Sequence, residues 1–302
     1  MVDGRARITA LLKATFAVAV WGASFIATKV ALRELAPILL IWLRFGIGVA
    51  ILAAAVVARK EFALVSLREL GYFSLLGFLG ITFHQGLQAN GLVTAQATTT
   101  AWIVATTPIF IGLLGWLVLK ESLGWSRVGG IAVATVGVLL VVSHGDLGSL
   151  MRGQFGTHGD ILVLISAPNW AVFSVLSRRG LRQYPATRMM LYVMTTGWLF
   201  VSLLTFLDSG SATSLNDLPG LSLSVWLSVA FLGVLCSGVA YIYWYDALKH
   251  LPASRVGALL YLEPLVAVAV AAVVLQEAIL LAAVLGGALI LLGVWLVNRP
   301  AS

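Results

Sequence analysis

The feature that most constrains this chain is a series of apolar stretches, each about 20 residues long, the length that a helix needs to cross the hydrocarbon core of a bilayer. Of the 302 residues, 60% are hydrophobic and 10% are charged, whereas soluble domains carry about 25% charged residues. The sequence lacks the short alternating strands of a membrane β-barrel. We therefore predict an all-α membrane protein that crosses the bilayer several times.

Ten stretches are predicted to span the membrane. They cover residues 9–31, 38–58, 70–93, 98–119, 128–143, 160–178, 188–208, 225–247, 256–275 and 279–298. The fifth stretch is short, and we expect its helix to extend at one end. The first stretch follows basic residues, as in a signal peptide, but it exceeds the apolar region of a signal peptide, which has about 7–15 residues. We expect it to remain as the first helix.

The basic residues predict the orientation of these helices. With the amino terminus in the cytoplasm, 15 Lys and Arg residues lie in cytoplasmic loops and 3 in external loops, while Arg44 lies within the second stretch. Because basic loops tend to stay in the cytoplasm, both termini are expected there. The same distribution accounts for the net charge of +7, so we expect no nucleic-acid partner.

One segment of the sequence occurs twice. A shift of 156 positions brings WLVLKESLGWSRVGG onto AVVLQEAILLAAVLG, so that Glu121 falls on Glu277. The same shift places Gly137 on Gly293. Small residues in these final helices are expected to allow close helix contacts; they are Gly129, Gly130, Ala134, Gly137, Gly286, Gly287 and Gly293.

The repeat predicts the domain organisation. Each half holds five predicted helices, an odd number, so the second copy enters the membrane from the opposite side. The halves are residues 1–142 and 160–302, and the polar, Gly-rich segment 143–159 is expected to link them outside the cell. Secondary transporters use such inverted repeats, with the substrate site near the membrane midplane between them.

The motifs of the chain resemble those of a known family. WGASFIATKVAL (Trp21–Leu32), Pro37 followed by LRFG (Leu43–Gly46), and KES and QEA before Gly-rich final helices are similar to the EamA branch of the drug/metabolite transporter superfamily. The resemblance implies a ten-helix fold, no prosthetic group and movement of small metabolites across the bacterial inner membrane. Within the family, the chain is most similar to exporters of amino acids, especially aromatic ones.

The leading hypothesis is a secondary transporter that exports small amphipathic metabolites by alternating access. Other drugs or metabolites, such as cationic compounds or nucleotide sugars, are alternative substrates. An intramembrane enzyme would need a catalytic motif, and the sequence contains no HExxH, no GxSxG and no mid-span pair of aspartates. A channel would favour rings of charge or filter carbonyls from several subunits.

These arguments predict no enzymatic activity and no cofactor. The single cysteine, Cys236, allows neither an internal disulfide nor a multi-cysteine metal site. The expected partners are a small-molecule substrate and the lipid bilayer, and the chain can act as a monomer.

Polar residues in the third span are candidates for the transport pathway, because such residues face the interior of a helix bundle. Helical spacing places His84 and Gln88 on one face with Gly77 and Ile81. His84 and Gln88 could bind the carboxylate or polar tip of a substrate, and His84 could carry a coupling proton. The alternative is a hydrogen bond to a neighbouring helix.

Prolines in the fourth and ninth spans predict irregular helices. Because proline removes a backbone hydrogen bond four residues back, the carbonyls of Val104 and Leu260 are expected to be free to bind a substrate or ion. A kink that only shapes packing is the alternative. The candidate binding residues near these prolines are Thr99, Trp102 and Tyr261.

Glu263 is the only carboxylate well inside a predicted span. A buried carboxylate is costly unless it is paired, hydrogen-bonded or protonated. Glu263 could pair with a substrate ammonium or take up a proton, or it could form a structural bond to Arg44 or to a tyrosine. Arg44 could attract anions or extend to the outer surface.

Aromatic residues form the last candidate set. Trp21 and Trp170 correspond between the two halves at a shift of 149. With neighbouring polar residues they could line a chamber for solutes that carry rings, and core packing is the alternative. The set comprises Trp21, Ser24, Trp102, Asn169, Trp170, Tyr241 and Tyr245.

Overall fold

A computed structural model describes residues 4–119, 125–146, 148, 156–207, 215–251, 256 and 259–298. Every regular element in these ranges is a helix, which confirms the all-α prediction. Five helical runs are long and apolar enough to cross a membrane; they are Ala6–Ala31, Pro37–Ala58, His158–Gln183, Ala186–Leu207 and Leu223–Leu248. Shorter apolar helices cover Ala97–Ile111, Val128–Val142, Leu259–Val274 and Leu281–Val297.

The first half consists of consecutive helices. They are α1 (Gly4–Ala31), α2 (Pro37–Ala58), α3 (Leu67–Gly77), α4 (His84–Thr94), α5 (Ala97–Val104), α6 (Thr107–Leu119) and α7 (Trp125–Val142). A π-helical segment at Phe78–Phe83, the first π segment, joins α3 to α4. The short fifth stretch extends as expected, since α7 begins at Trp125.

The second half has a similar order of elements. Its helices are α8 (His158–Gln183), α9 (Ala186–Leu207), α10 (Leu223–Ala230), α11 (Ala240–His250), α12 (Leu262–Val274) and α13 (Leu281–Asn298). The second π segment, Phe231–Val239, joins α10 to α11, and 3₁₀ turns lie at Leu215–Gly220 and Leu259–Tyr261.

The two π segments occupy corresponding places in the repeat. They begin at Phe78 and Phe231, which are 153 positions apart, whereas the helices that follow begin at His84 and Ala240, which are 156 positions apart. The difference of three residues equals the difference in length of the π segments, which have 6 and 9 residues. Both halves therefore contain a π segment at the same place, and the greater length of the second π segment accounts for the difference of three residues.

The predicted fourth span is two helices rather than one. α5 ends at Val104 and α6 begins at Thr107, because Pro108 cannot donate a backbone hydrogen bond and its ring crowds the preceding turn. The prediction of a free Val104 carbonyl is wrong: the Thr107 hydroxyl donates to it at 2.7 Å. In the other half, Pro264 lies in the first turn of α12, where a backbone N–H has no partner within the helix.

α7 and α13 pack closely at glycines. A Cβ atom on Gly130 would lie 2.6 Å from the Gly293 oxygen, and one on Gly137 would lie 2.6 Å from the Gly286 oxygen. The order of these contacts shows that the two helices run antiparallel. Gly286 and Gly293 are also the repeat mates of Gly130 and Gly137, so the contacts are reciprocal, as in a two-fold interface. We call these four residues the glycine seam.

The prediction of close contacts holds for the glycine seam and for Gly287, where a Cβ atom would overlap the ring of Trp102 in α5. Gly129 is an exception, because open space lies where its side chain would be. Packing elsewhere is also reciprocal: α1 packs against α11 and α12, while α8 packs against α4 and α6. The first helix of each half therefore contacts the other half.

Candidate functional site

Trp21 links the first half to α11. Its ring centroid lies 5.5 Å from that of Tyr241 and 5.3 Å from that of Trp244. Its indole Nε1 donates to the Cys236 carbonyl in the second π segment at 3.1 Å. The hydrogen bond fixes the orientation of the indole, so the edge contact with Tyr241 is a defined feature of the junction between halves.

His84 and Trp170 form a second aromatic contact between halves. Their ring centroids lie 4.6 Å apart, and Phe173 lies 4.7 Å beyond Trp170. The His84 side chain is only 5% exposed, and its ring bonds the Ser166 carbonyl. Its Nδ1 atom is buried and has no partner among the residues that the structure describes. Buried polar atoms normally have a partner, so this nitrogen is an exception within the described residues.

Arg44 lies close to these rings. It is 8% exposed, which contradicts the alternative in which it extends to the outer surface. Its Nε donates to the Ser237 hydroxyl at 3.4 Å, and a terminal nitrogen donates to the Gln85 side-chain oxygen at 3.3 Å. His84 and Tyr241 both lie within electrostatic range of the guanidinium.

Glu263 lies in the first turn of α12, where the helix dipole favours a carboxylate. Its backbone carbonyl lies against α1, since a Cβ atom on Gly22 would be 2.6 Å from that oxygen. Gly22 directly follows Trp21, whose ring contacts Tyr241. The ion pairs found in the described ranges are Lys13–Asp246 and Arg59–Asp246, so the predicted alternative of a bond between Arg44 and Glu263 is not realised there.

These contacts bring together residues from six helices. We call Trp21, Arg44, His84, Trp170, Tyr241 and Glu263 the central cluster. It combines aromatic rings from both halves with one cationic and one anionic side chain. Such a mixture is suited to a solute that has both a ring and charged groups.

Three of the predicted residues lie elsewhere. Trp102 is 4% exposed and packs against Gly287 of α13 in a separate apolar cluster, which Tyr261 borders. Thr99 is buried one turn before Trp102. The Trp102 Nε1 atom has no partner in the part of the chain that the structure describes. A binding role for these residues stays a prediction.

The predicted common face of the third span is divided by the first π segment, which changes the helical phase before His84. Ile81 packs against Gly197 of α9, whereas His84 faces Trp170. His84 and Gln88 both lie in α4, where four-residue spacing keeps them on one face, and the neighbouring residue Gln85 reaches Arg44. The repeated letters FLG, at 78–80 and 231–233, mark both π segments and could have indicated the irregularity.

The remaining predicted residues have mixed surroundings. Asn169 donates from its side chain to the Leu79 carbonyl in the first π segment at 2.9 Å, which satisfies a backbone group of the irregular turn. Ser24, Gln88 and Tyr245 are half-buried. Their contact with a substrate stays a prediction.

Two acidic residues of the second half bind the first half at opposite ends of α1. Asp246 accepts hydrogen bonds from Lys13 at 3.0 Å and from Arg59 at 2.8 Å. Near Lys29, about 24 Å along α1 from Lys13, Glu277 accepts from the backbone of Ala97 and Thr98 at the start of α5, at 2.9 and 3.1 Å. The Thr98 hydroxyl also donates to Glu277 at 2.8 Å.

The comparisons with known proteins agree with this architecture. A solved crystal structure with 23% sequence identity matches with a TM-score of 0.66, covering 97% of this chain and 99% of that one; at this identity the match shows the fold alone. An uncharacterized transporter of Archaeoglobus fulgidus is 30% identical over 278 residues, covering 92% of this chain and 93% of the relative.

Two further relatives have more informative names. A probable terminal-alkyne amino-acid exporter of Streptantibioticus cattleyicolor is 30% identical, covering 77% of this chain and 74% of the relative. A probable amino-acid metabolite efflux pump of Escherichia coli is 30% identical, covering 94% and 92%. The EamA-like transporter family matches residues 8–143 and 157–299. This confirms the resemblance seen in the sequence: the chain belongs to the EamA-like transporter family.

Proposed function

We propose that the chain is a secondary transporter that exports small amphipathic metabolites, namely amino acids including aromatic ones, across the bacterial inner membrane. The expected architecture is ten membrane-spanning helices in two inverted repeats, residues 1–142 and 160–302. Both termini lie in the cytoplasm, and residues 143–159 form an external link. The chain catalyses no reaction and can act as a monomer.

The central cluster is the observation that carries this proposal. Trp21 and Trp170, which correspond in the repeat, each contact a polar aromatic ring from the other half, Tyr241 and His84 respectively. Aromatic side chains bind a substrate ring, and adjacent charges bind its polar groups. Two relatives are named as a probable terminal-alkyne amino-acid exporter and a probable amino-acid metabolite efflux pump, which also supports the proposal.

Alternating access is supported by the contacts at the two ends of α1. The Asp246 ion pairs hold the halves together at one end, and the Glu277 hydrogen bonds hold them at the other. Rocking of one half against the other would break these contacts one end at a time, while the glycine seam serves as the pivot. The substrate would then reach the central cluster from each side in turn.

A transport assay tests the proposal. Purified protein in liposomes should take up labelled phenylalanine with saturable kinetics, and tryptophan and tyrosine should compete. Trp21→Leu should reduce uptake about tenfold or more, because it removes a ring from the cluster. Trp226→Leu, at a partly exposed position of α10, is the matched control and should transport normally. Robust transport of a nucleotide sugar or a cationic drug, with no transport of any amino acid, would overturn the proposal.

A further inference from the structure

Arg44 carries a buried charge without a counter-charge. The guanidinium is 8% exposed, and across the described ranges no carboxylate forms an ion pair with it. Its hydrogen-bond partners, Ser237 and Gln85, are both neutral, and the two bonds are long, at 3.4 and 3.3 Å. A buried cation is costly unless an anion accompanies it. The chemical group that this site lacks is therefore an anion.

The guanidinium is held in a fixed orientation. Ser237 approaches from the second π segment and Gln85 from α4, so two elements position the same group. Gly48, one turn after Arg44 on α2, permits the approach, because a Cβ atom there would lie 2.7 Å from that of Ser237. A fixed planar guanidinium presents paired N–H groups that match the two oxygens of a carboxylate.

An acidic group reaches the same region through α1. The Glu263 backbone carbonyl lies against Gly22, next to Trp21, whose ring contacts Tyr241 and whose indole donates to the Cys236 carbonyl. Cys236 directly precedes Ser237, the partner of Arg44, yet Arg44 and Glu263 form no ion pair with each other within the part that the structure describes. A basic group, an acidic group and an aromatic ring are thus joined by consecutive contacts.

We infer that Arg44 binds the carboxylate of a zwitterionic amino acid whose ammonium group faces Glu263. The inference rests on the proposed function and adds the groups by which the same site selects its substrate. A molecule that has the ring and only one of the two charges leaves either the buried Arg44 or the half-buried Glu263 unpaired. The site therefore discriminates against both amines and simple carboxylic acids.

Equilibrium binding to the purified full chain tests the assignment, with phenylalanine, phenethylamine and 3-phenylpropionate as probes. The wild-type protein should bind phenylalanine most tightly. In Arg44→Gln, affinity for phenylalanine and 3-phenylpropionate should fall by about 10- to 100-fold, the range for a hydrogen bond to a charged group, with little change for phenethylamine. In Glu263→Gln, phenylalanine and phenethylamine should lose affinity instead.

A second variant keeps Arg44 in place. Gln85→Glu supplies a permanent carboxylate where the Gln85 oxygen already lies 3.3 Å from the guanidinium. The new carboxylate should compete with that of the substrate and lower phenylalanine affinity by about 10-fold or more. Asn90→Asp, which makes the same chemical change at an exposed position of α4, is the matched control and should bind as the wild type does.

The outcomes separate the two proposals. If the wild-type protein binds and transports no amino acid, the proposed function fails and this assignment fails with it. If it binds phenylalanine but Arg44→Gln and Gln85→Glu keep the same preference for phenylalanine over phenethylamine, only this assignment fails. Should Arg44→Gln not fold, Gln85→Glu and the charge-conserving Arg44→Lys decide, because both retain the cation.

Discussion

The glycine seam and the central cluster are both built from the repeat, but they use it in opposite ways. In the glycine seam each contact has a reciprocal copy, Gly130 with Gly293 and Gly137 with Gly286. In the central cluster the repeat mates Trp21 and Trp170 are alike, but the residues around them differ, since the positions of His84 and Gln85 in the first half are taken by Ala240 and Tyr241 in the second. The glycine seam keeps the two-fold relation, and the central cluster keeps only part of it.

The difference follows from what each region contacts. The glycine seam packs against its own copy, so a larger residue in either half would collide with the other half. The central cluster faces between the halves, and a solute with an ammonium group, a carboxylate and a ring has no two-fold symmetry. A site that orients such a solute requires different side chains from the two halves. The fold thus needs sequence similarity at the glycine seam and benefits from divergence in the central cluster.

The largest loss of stability is expected when a side chain is added within the glycine seam. Gly137→Leu places a side chain against the Gly286 backbone, where even a Cβ atom would lie at 2.6 Å, and overpacking of this kind costs about 1–3 kcal/mol or more. We expect a large fall in the thermal unfolding midpoint or loss of folded protein. Gly129→Leu, with no atom within 4 Å of the added Cβ, is the control. Equal stability of the two variants would show that the glycine seam is not closely packed.

A smaller loss of stability is expected at the end of α1 near Lys29, and the experiment tests whether both halves use an equivalent cap. Glu277→Ala removes the acceptor for the backbone N–H groups of Ala97 and Thr98, and loss of a helix cap costs about 0.5–2 kcal/mol. Glu121, the repeat mate of Glu277, lies outside the described residues, and the repeat predicts a similar loss for Glu121→Ala. Thermal unfolding of both variants measures this. Gln276→Ala, which removes a bond only to the Val273 carbonyl, should change stability less, and a larger loss there would contradict the capping role.

The smallest effect on stability is expected at a half-buried contact between the halves, where the Tyr184 hydroxyl donates to Glu69. Hydrogen bonds from the Tyr184 hydroxyl and from the capping residue Ser66 lower the pKa of Glu69 from 4.5 to about 2. Because the folded-state pKa is depressed, the contribution to stability is complete above the unfolded pKa of 4.5 and is lost as the pH falls towards about 2.

Thermal unfolding measured between about pH 6 and about pH 3 should show this loss. Tyr184→Phe removes the largest cause of the shift, so its midpoint should depend less on pH than that of the wild type. The Glu69→Gln variant has no carboxylate to titrate at this position, so the part of the acid-induced loss of stability that Glu69 causes should disappear. Identical pH profiles for the wild type and Glu69→Gln would exclude a role for the carboxylate in acid sensitivity.

Part of the candidate site could be predicted because polar and aromatic residues are conspicuous within apolar helices. Trp21, His84, Trp170, Tyr241 and Glu263 were all identified from the sequence, and the structure places them in one cluster. Gln85 was not predicted, because the bond that gives it a role joins α4 to Arg44 of α2, 41 positions away, and no spacing within the third span indicates that bond. Trp102 was grouped with Trp21 and Trp170 by residue type, although it packs against α13.

The sequence by itself determined the membrane class, the repeat and the family, because the bilayer fixes the length and polarity of each span and duplication leaves matching letters. It also identified the glycines that allow close packing, since only a missing side chain permits that approach. Only the tertiary structure decided which polar groups meet. Arg44 and Ser237 are 193 positions apart, and their contact depends on the phase of the second π segment and on how α2 packs against it, which no local pattern specifies.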